Sequence, residues 1–261
     1  MSGAEAQAGA APGKHSIERV RHELRRRTLD VVAVTKLTPG MVRITLSGPE
    51  LEGFTSLGYD DHVKVFFPSK DTPDQPAMRD YTPRRYDAAA HRLDIDFVIH
   101  GEGPATTWAS QAEVGQKLTI GGPKGSFVVA TDFDCYVLVG DESAWPATAR
   151  RLEELPAGAK AFVVAEVNGP QDEQPWQSKA DVKVTWVHRN SAEPGRVEGL
   201  AKAVRDLKLP PGDCYMWAAG ESSVVRELRP QFVERGAPKE WIKAAGYWKR
   251  GAVASHETIT D

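Results

Sequence analysis

Two cysteines in 261 residues, Cys135 and Cys214, stand far apart and neither belongs to a C-x-x-C pair. That excludes an all-cysteine iron–sulfur cluster or zinc site within the chain. Each lies in an apolar run and is expected as a small buried hydrophobe rather than as half of a redox pair. No apolar stretch is long enough to span a bilayer, so no membrane partner is expected. Neither sign of charge dominates: 33 Lys and Arg against 36 Asp and Glu give a net charge of -3, so no global field draws in nucleic acid. The one basic run, residues 19–27, lacks interleaved aromatics and reads as a solvated face of an entry strand or helix. Residues 1–13 are mostly Ala and Gly with neither a charged start nor an apolar stretch, which suits a loose tail and not a signal peptide. A cytoplasmic monomer is therefore expected. The complete G-x-G-x-x-G fingerprint, a persuasive catalytic triad and a resident metal site are missing as well.

What is present divides into two patterns. In the first half, short strands at residues 29–34, 42–46, 62–67, 93–99 and 118–120 are separated by Gly, Pro and Asp, as in a small antiparallel barrel. From Tyr136 onward apolar strands at 136–139, 161–167, 182–187 and 215–219 are separated by helix-like segments at 147–155, 197–207 and 223–235. That alternation predicts parallel βαβ packing. The expected fold is therefore two-domain, β plus α/β: an N-terminal antiparallel Greek-key barrel followed by a parallel-sheet domain. The plan assigns residues 1–16 to a disordered tail, 17–132 to the barrel and 133–261 to the α/β domain.

The chemistry concentrates in a few stretches. In Arg79-Asp80-Tyr81-Thr82 strand alternation points Arg79 and Tyr81 one way and Thr82 the other, and Pro83 then interrupts the ladder. An edge where a ligand takes up the hydrogen bonds suits this pattern, as does an ordinary edge strand. Arg79, an aromatic and a hydroxyl can grip the phosphates and flat ring of a flavin. His100-Gly101-Glu102-Gly103-Pro104-Ala105-Thr106 turns from a strand into a helix start, where free N–H groups and the Thr106 hydroxyl suit a pyrophosphate. Gly140-Asp141-Glu142 and Gly220-Glu221 each place a glycine at the C-terminal end of a parallel strand, where ligands of open α/β sheets bind. Glu166, near the end of the next strand, is placed to accept a ribose diol, or to be a surface glutamate. Gly246-Tyr247-Trp248-Lys249-Arg250 joins aromatics that can cover a ring to two cations that can meet an anion.

Taken in order, these motifs resemble the siderophore-interacting proteins, the flavin-dependent ferric-siderophore reductases of the ferredoxin-reductase-like superfamily. The likeness rests on Leu37-Thr38-Pro39-Gly40-Met41, Asp60-Asp61-His62-Val63-Lys64, Arg79-Asp80-Tyr81-Thr82-Pro83-Arg84, the strand from Asp94 to Gly101, the Gly-Pro-Ala turn ending at Trp108-Ala109, Gly140-Asp141-Glu142 and the Gly246-Tyr247-Trp248 tail. It implies an FAD held between the barrel and the α/β domain by Arg79, Tyr81, Thr82, Asp96, Val98, His100, Gly103, Ala105, Thr106 and Trp248. It implies a nicotinamide near Gly140, Asp141, Glu142, Glu166, Gly220 and Glu221, with NADH, NADPH or a ferredoxin as electron donor. It places Lys249 and Arg250 in a ferric-siderophore pocket, in intracellular iron acquisition. A general NAD(P)H-dependent flavin or quinone reductase and a non-enzymatic siderophore carrier share the same motifs. Trp145 departs from the family, which commonly has a smaller aliphatic residue there; its indole either narrows the nicotinamide approach or refills the domain interface.

Overall fold

The computed structural model describes residues 14–68, 75–101, 103–252 and 257–260; the stretch 1–13 expected as a tail lies outside them. The first half supplies β1 (Ile17–Arg21), β2 (Arg26–Thr38), β3 (Met41–Ser47), β4 (Val63–Phe67), β5 (Ala77–Tyr81), β6 (Pro83–Asp87), β7 (Arg92–Val98), the short helix α1 (Pro104–Ser110), β8 (Lys117–Gly121) and β9 (Gly125–Val129). Seven of these strands form one antiparallel sheet in the order β5-β4-β8-β2-β3-β7-β6, curled as a half-barrel. Alternation decides which side chains go in. Leu29 and Val31 of β2, Ile44 and Leu46 of β3, Val63, Val65 and Phe67 of β4, and Leu93, Ile95 and Phe97 of β7 fill the interior.

The expected edge is real. β5 and β6 close the two opposite ends of the sheet, and Thr82 alone connects them, so the Arg79 motif runs across the opening of the half-barrel. Pro83, which has no N–H to give, starts β6 at that edge.

The second half supplies β10 (Cys135–Gly140), α2 (Trp145–Glu154), β11 (Lys160–Val167), β12 (Asp181–His188), α3 (Val197–Asp206), β13 (Cys214–Glu221), α4 (Ser222–Glu234), β14 (Ile242–Trp248) and β15 (Glu257–Thr258). The sheet order is β12-β11-β10-β13-β14-β15, parallel except for the last pair. β10, β11 and β13 are buried almost end to end, as expected for strands covered on both faces. Helix α4 begins where the Glu221 carboxylate accepts from the Ser223 and Val224 N–H groups at 2.7 and 3.1 Å. Its apolar stripe of Val224, Val225, Leu228 and Phe232 then packs on the sheet. No helix among the described residues is long and apolar enough to cross a membrane.

Three sequence expectations change. Cys135 and Cys214 are register partners on neighbouring strands, with Cα atoms 4.5 Å apart, and form a disulfide. Both are buried as expected, but pairing depended on β10 lying beside β13, which spacing does not reveal. His15, inside the stretch assigned to the tail, is buried, stacks on Phe133 at 4.2 Å and bonds Asp132 and Asp213 through its two ring nitrogens at 3.1 and 3.0 Å. In the basic run Arg27 is buried rather than solvated, donating to the carbonyls of Glu50 and Gly122 at 2.8 and 3.2 Å.

The halves are joined by polar contacts as well as packing. Arg150 donates to the Ser56 carbonyl at 2.9 Å and that of Pro83 at 3.1 Å, and Arg84 to Glu153 at 2.9 Å. Deeper in the seam Asp60 accepts from the Trp217 indole at 3.1 Å and the Lys243 ammonium at 2.7 Å. These bonds tie the loop before β4 and the β5–β6 connection to α2, β13 and β14.

Candidate functional site

Two adjoining cavities open at that junction. The first, of about 260 Å³, is lined by all ten residues expected to hold a flavin: Arg79, Tyr81, Thr82, Asp96, Val98, His100, Gly103, Ala105, Thr106 and Trp248. β5 supplies Arg79 and Tyr81 and β7 supplies Asp96 and Val98. α1 brings Ala105 and Thr106, and Trp248 closes the cavity from β14. Tyr81 packs against Phe97 at 4.4 Å, and burial pushes its hydroxyl up, so it remains a neutral ring wall. Arg79 is half-buried, and its Nη1 donates to the neighbouring Met78 carbonyl at 2.7 Å. The Thr106 hydroxyl donates to the His100 carbonyl at 3.1 Å, which ties the strand end to the start of α1.

Asp96 differs from the rest. Its carboxylate is buried and held by Arg43 in a paired bond at 2.6 and 2.8 Å, so it faces the cavity as part of an ion pair that braces β3 against β7.

The second cavity, of about 360 Å³, lies between the β2–β3 turn and the ends of β10, β11 and β12. Of the six residues expected near a nicotinamide, Asp141 and Glu142 line it; Gly140, Glu166, Gly220 and Glu221 lie behind. Each of these has a structural reason for its place. A Cβ on Gly140 would sit 2.4 Å from the Ala219 carbonyl oxygen, so only glycine lets β10 and β13 approach here. Gly220, at φ 144°, lies against the Asp141 carboxylate, and Glu221 caps α4. Burial opposes ionisation of Glu221, but hydrogen bonds from Ser223, Val224 and Arg250 outweigh it and hold its carboxyl below the usual range.

Glu166 is buried rather than exposed, and faces Arg189 at 3.2 Å. The same guanidinium is gripped by Glu142 at 2.6 and 2.7 Å. Burial pushes the Glu166 carboxyl up to about 7, with repulsion from Asp141 and Glu142 adding to it and Arg189 opposing. Sequence reasoning missed Arg189: it follows β12, and nothing local signals that two acidic strand ends converge on it. Trp145 is buried against Trp176 and Trp186 at 5.7 and 5.5 Å and also forms part of this cavity's wall.

Trp248, Val98, His100 and Ser143 border both cavities. The Trp248 indole N–H donates to Asp141 at 2.8 Å, so Asp141 fixes the wall between them. Lys249 lines the first cavity, whereas the Arg250 guanidinium bonds the Pro194 carbonyl and lines neither cavity.

Chemically, the first cavity offers a cation, a helix start, hydroxyls and aromatic walls, a donor set that fits a dinucleotide with a flat ring and an anionic middle. A half-barrel joined in this way to a parallel sheet is the architecture of the ferredoxin reductases. The ferredoxin reductase of a carbazole 1,9a-dioxygenase superposes with a TM-score of 0.62 at 17% identity, over 84% of this chain and 68% of that one. Within that class the chain belongs to the siderophore-interacting protein family: residues 133–251 match the siderophore-interacting protein profile, and 30–75 and 70–127 match the siderophore-interacting FAD-binding domain. It is 38% identical over 253 residues to the NADPH-dependent ferric-chelate reductase of Escherichia coli K12, covering 88% of this chain and 96% of that protein. It is 34% identical over 247 residues to the ferric vibriobactin reductase ViuB of Vibrio cholerae, covering 86% and 90%. The crystal structure of a siderophore utilization protein from T. fusca superposes with a TM-score of 0.86 at 36% identity, over 91% of this chain and 97% of that one.

Proposed function

We propose that this protein is an FAD-dependent ferric-siderophore reductase that draws electrons from a nicotinamide and passes them singly to chelated Fe(III), releasing Fe(II) for iron acquisition. The observation that carries this reading is the convergence of Arg79, Tyr81, Thr82, the α1 start and Trp248 on one cavity, in a chain that carries the family's FAD-binding domain. When bound there, FAD would supply what no side chain here offers, acceptance of two electrons together and their release one at a time. Arg79 and the first N–H groups of α1 would hold its phosphates, Tyr81 its ribityl and ring region, and Thr82 its reactive edge. Trp248 and Val98 would exclude water from the ring.

The second cavity is the proposed donor site, with Asp141 and Glu142 in its wall and Trp145 narrowing it. NADPH is the proposed donor, as in the name of the Escherichia coli relative, with ferredoxin the alternative source. Lys249 is proposed to steer an anionic ferric chelate toward the first cavity. Residues 17–132 are proposed as the flavin part and 133–261 as the donor part, acting as a cytoplasmic monomer. Reduction weakens the hold of the hard oxygen ligands of a siderophore on iron, so release follows without breaking the chelator.

Anaerobic stopped-flow tests this directly. Purified protein should be yellow, bleach with NADPH, and recover its colour at a saturable, chelator-dependent rate on mixing with a ferric siderophore. Colourless protein that takes up no FAD, or reduced protein that ignores every ferric chelate, would overturn the proposal.

A further inference from the structure

Neither the flavin cavity nor the donor cavity uses the basic run at residues 19–27, and that run walls a cavity of its own. This space, of about 260 Å³, lies at the β1–β2 connection and is bordered by Arg21, Glu23, Arg25 and Arg27, with Gly122 and Pro123 of the β8–β9 turn closing it. Its frame is held by main-chain bonds. The His22 N–H donates to the Lys124 carbonyl and the Gly122 N–H to the Arg25 carbonyl, each at 3.0 Å, which pins the connection to the turn. The His22 ring, also in the wall, meets the Ser126 hydroxyl through Nε2 at 2.7 Å.

Arg21 and Arg25 are exposed, whereas Arg27 is 4% exposed. The groups that accept from Arg27, the Glu50 carbonyl at 2.8 Å and the Gly122 carbonyl at 3.2 Å, are both neutral. Among the described residues no carboxylate pairs with it, and its Nη2 makes no hydrogen bond. The nearby acids are turned to other work or to solvent: the Glu50 carboxylate accepts from the Thr28 N–H at 3.1 Å, and Glu23 is exposed. The Phe54 ring, 5.3 Å from the Arg27 Cζ, covers the guanidinium. Burial, with the Arg25 charge next, pulls the Arg27 guanidinium below its usual range. Burying a charge is costly unless it is paired, so a guanidinium held in this way at a cavity wall calls for a counter-charge.

We propose that this cavity binds a diphosphate-type oxyanion, free or at the end of a larger molecule, with Arg27, Arg25 and Arg21 as its cationic partners. Guanidinium forks match phosphate oxygens in pairs. Three guanidinium groups against the single carboxylate of Glu23 call for more than one negative charge. No aromatic side chain other than the His22 ring lines the cavity, so it offers a nucleotide base or a flavin ring little to stack on, unlike the cavity walled by Tyr81 and Trp248.

The site does not depend on the electron-transfer reading, and its test measures binding rather than turnover. The full chain, saturated with FAD so that the flavin cavity is filled, is titrated by calorimetry with pyrophosphate, ADP, citrate and sulfate at constant ionic strength. Pyrophosphate should bind at one site per chain, more weakly as salt is added, and Arg25→Ala should lower its affinity about tenfold. Arg21→Ala should lower it in the same direction, and both variants should keep the wild-type FAD content and melting temperature. Arg27→Lys retains the charge but not the fork and should also weaken binding; if it fails to fold, Arg25→Ala decides. ADP binding as tightly as pyrophosphate assigns the site to a terminal diphosphate, and much weaker ADP binding assigns it to the free anion. Absence of saturable heat with both, sulfate or citrate binding at least as tightly as pyrophosphate, or an affinity unchanged in Arg25→Ala would overturn the site and leave Arg27 as a clamp on two loop carbonyls. A chain that takes up no FAD would overturn the flavin reading, and the Arg25→Ala comparison would still locate the anion.

Discussion

Replacing Glu166 with Gln should stabilise the protein at alkaline pH and leave it nearly unchanged in acid. Glu166 is 2% exposed, and burial beside Asp141 and Glu142 pushes its carboxyl from 4.5 to about 7 even with Arg189 opposing. A folded-state pKa raised above the unfolded one contributes stability that is fully present below pH 4.5 and is lost as the pH rises through about 7. At about 1.4 kcal/mol per unit, the full difference is on the order of 3 kcal/mol. Between pH 5 and 8.5 roughly 2.5 kcal/mol of it develops. Gln cannot ionise, but its carbonyl still accepts from Arg189. The gap in melting temperature between Glu166→Gln and wild type should therefore widen by about 5–10 °C over that range, using the 2–4 °C per kcal/mol typical of chains this size. Thermal melts at half-unit pH steps, with FAD at fixed excess, measure it. Parallel melting curves from pH 5 to 8.5 would refute the assignment of a strained, half-titrated carboxylate to the back of the second cavity.

Other perturbations follow from the same geometry. Arg79→Ala should weaken FAD binding by roughly ten- to a hundredfold, the range for losing a charge-assisted hydrogen bond, with little change in melting of the apoprotein; equilibrium dialysis measures the first and calorimetry the second. Lys249→Ala should raise the KM for an anionic ferric chelate several-fold at low salt and progressively less as salt is added, whereas Arg250→Ala, whose guanidinium is committed to Pro194, should leave that KM unchanged. Gly140→Ala would place a methyl group 2.4 Å from the Ala219 carbonyl oxygen and 2.5 Å from the Ala144 Cβ. It should cost about 2 kcal/mol or more in urea unfolding.

Much was legible in the one-dimensional pattern because the forces involved are local. Alternation in residues 93–98 and the continuous apolar runs at 136–139 and 215–219 state how strands are buried before any partner is known. Glycines and Pro104 mark the turns, and the Arg79 motif specifies an edge because Pro83 cannot continue a ladder. Those rules sufficed for the two-domain architecture, while the set of ten residues that line a single cavity came from the family resemblance of the ordered motifs.

The remainder was decided by which strand lies beside which. Cys135 meets Cys214 only because β13 was inserted next to β10. Glu166 meets Arg189 only because β11 and β12 end in register, and Asp96 meets Arg43 only across the β3–β7 pair. His15 is buried only because Asp132 and Phe133, which follow β9, and Asp213, which precedes β13, meet there. Charge pairing and burial are fixed by distances of a few ångströms between segments tens of residues apart, and sequence alone states the chemistry of each partner without saying which partners meet.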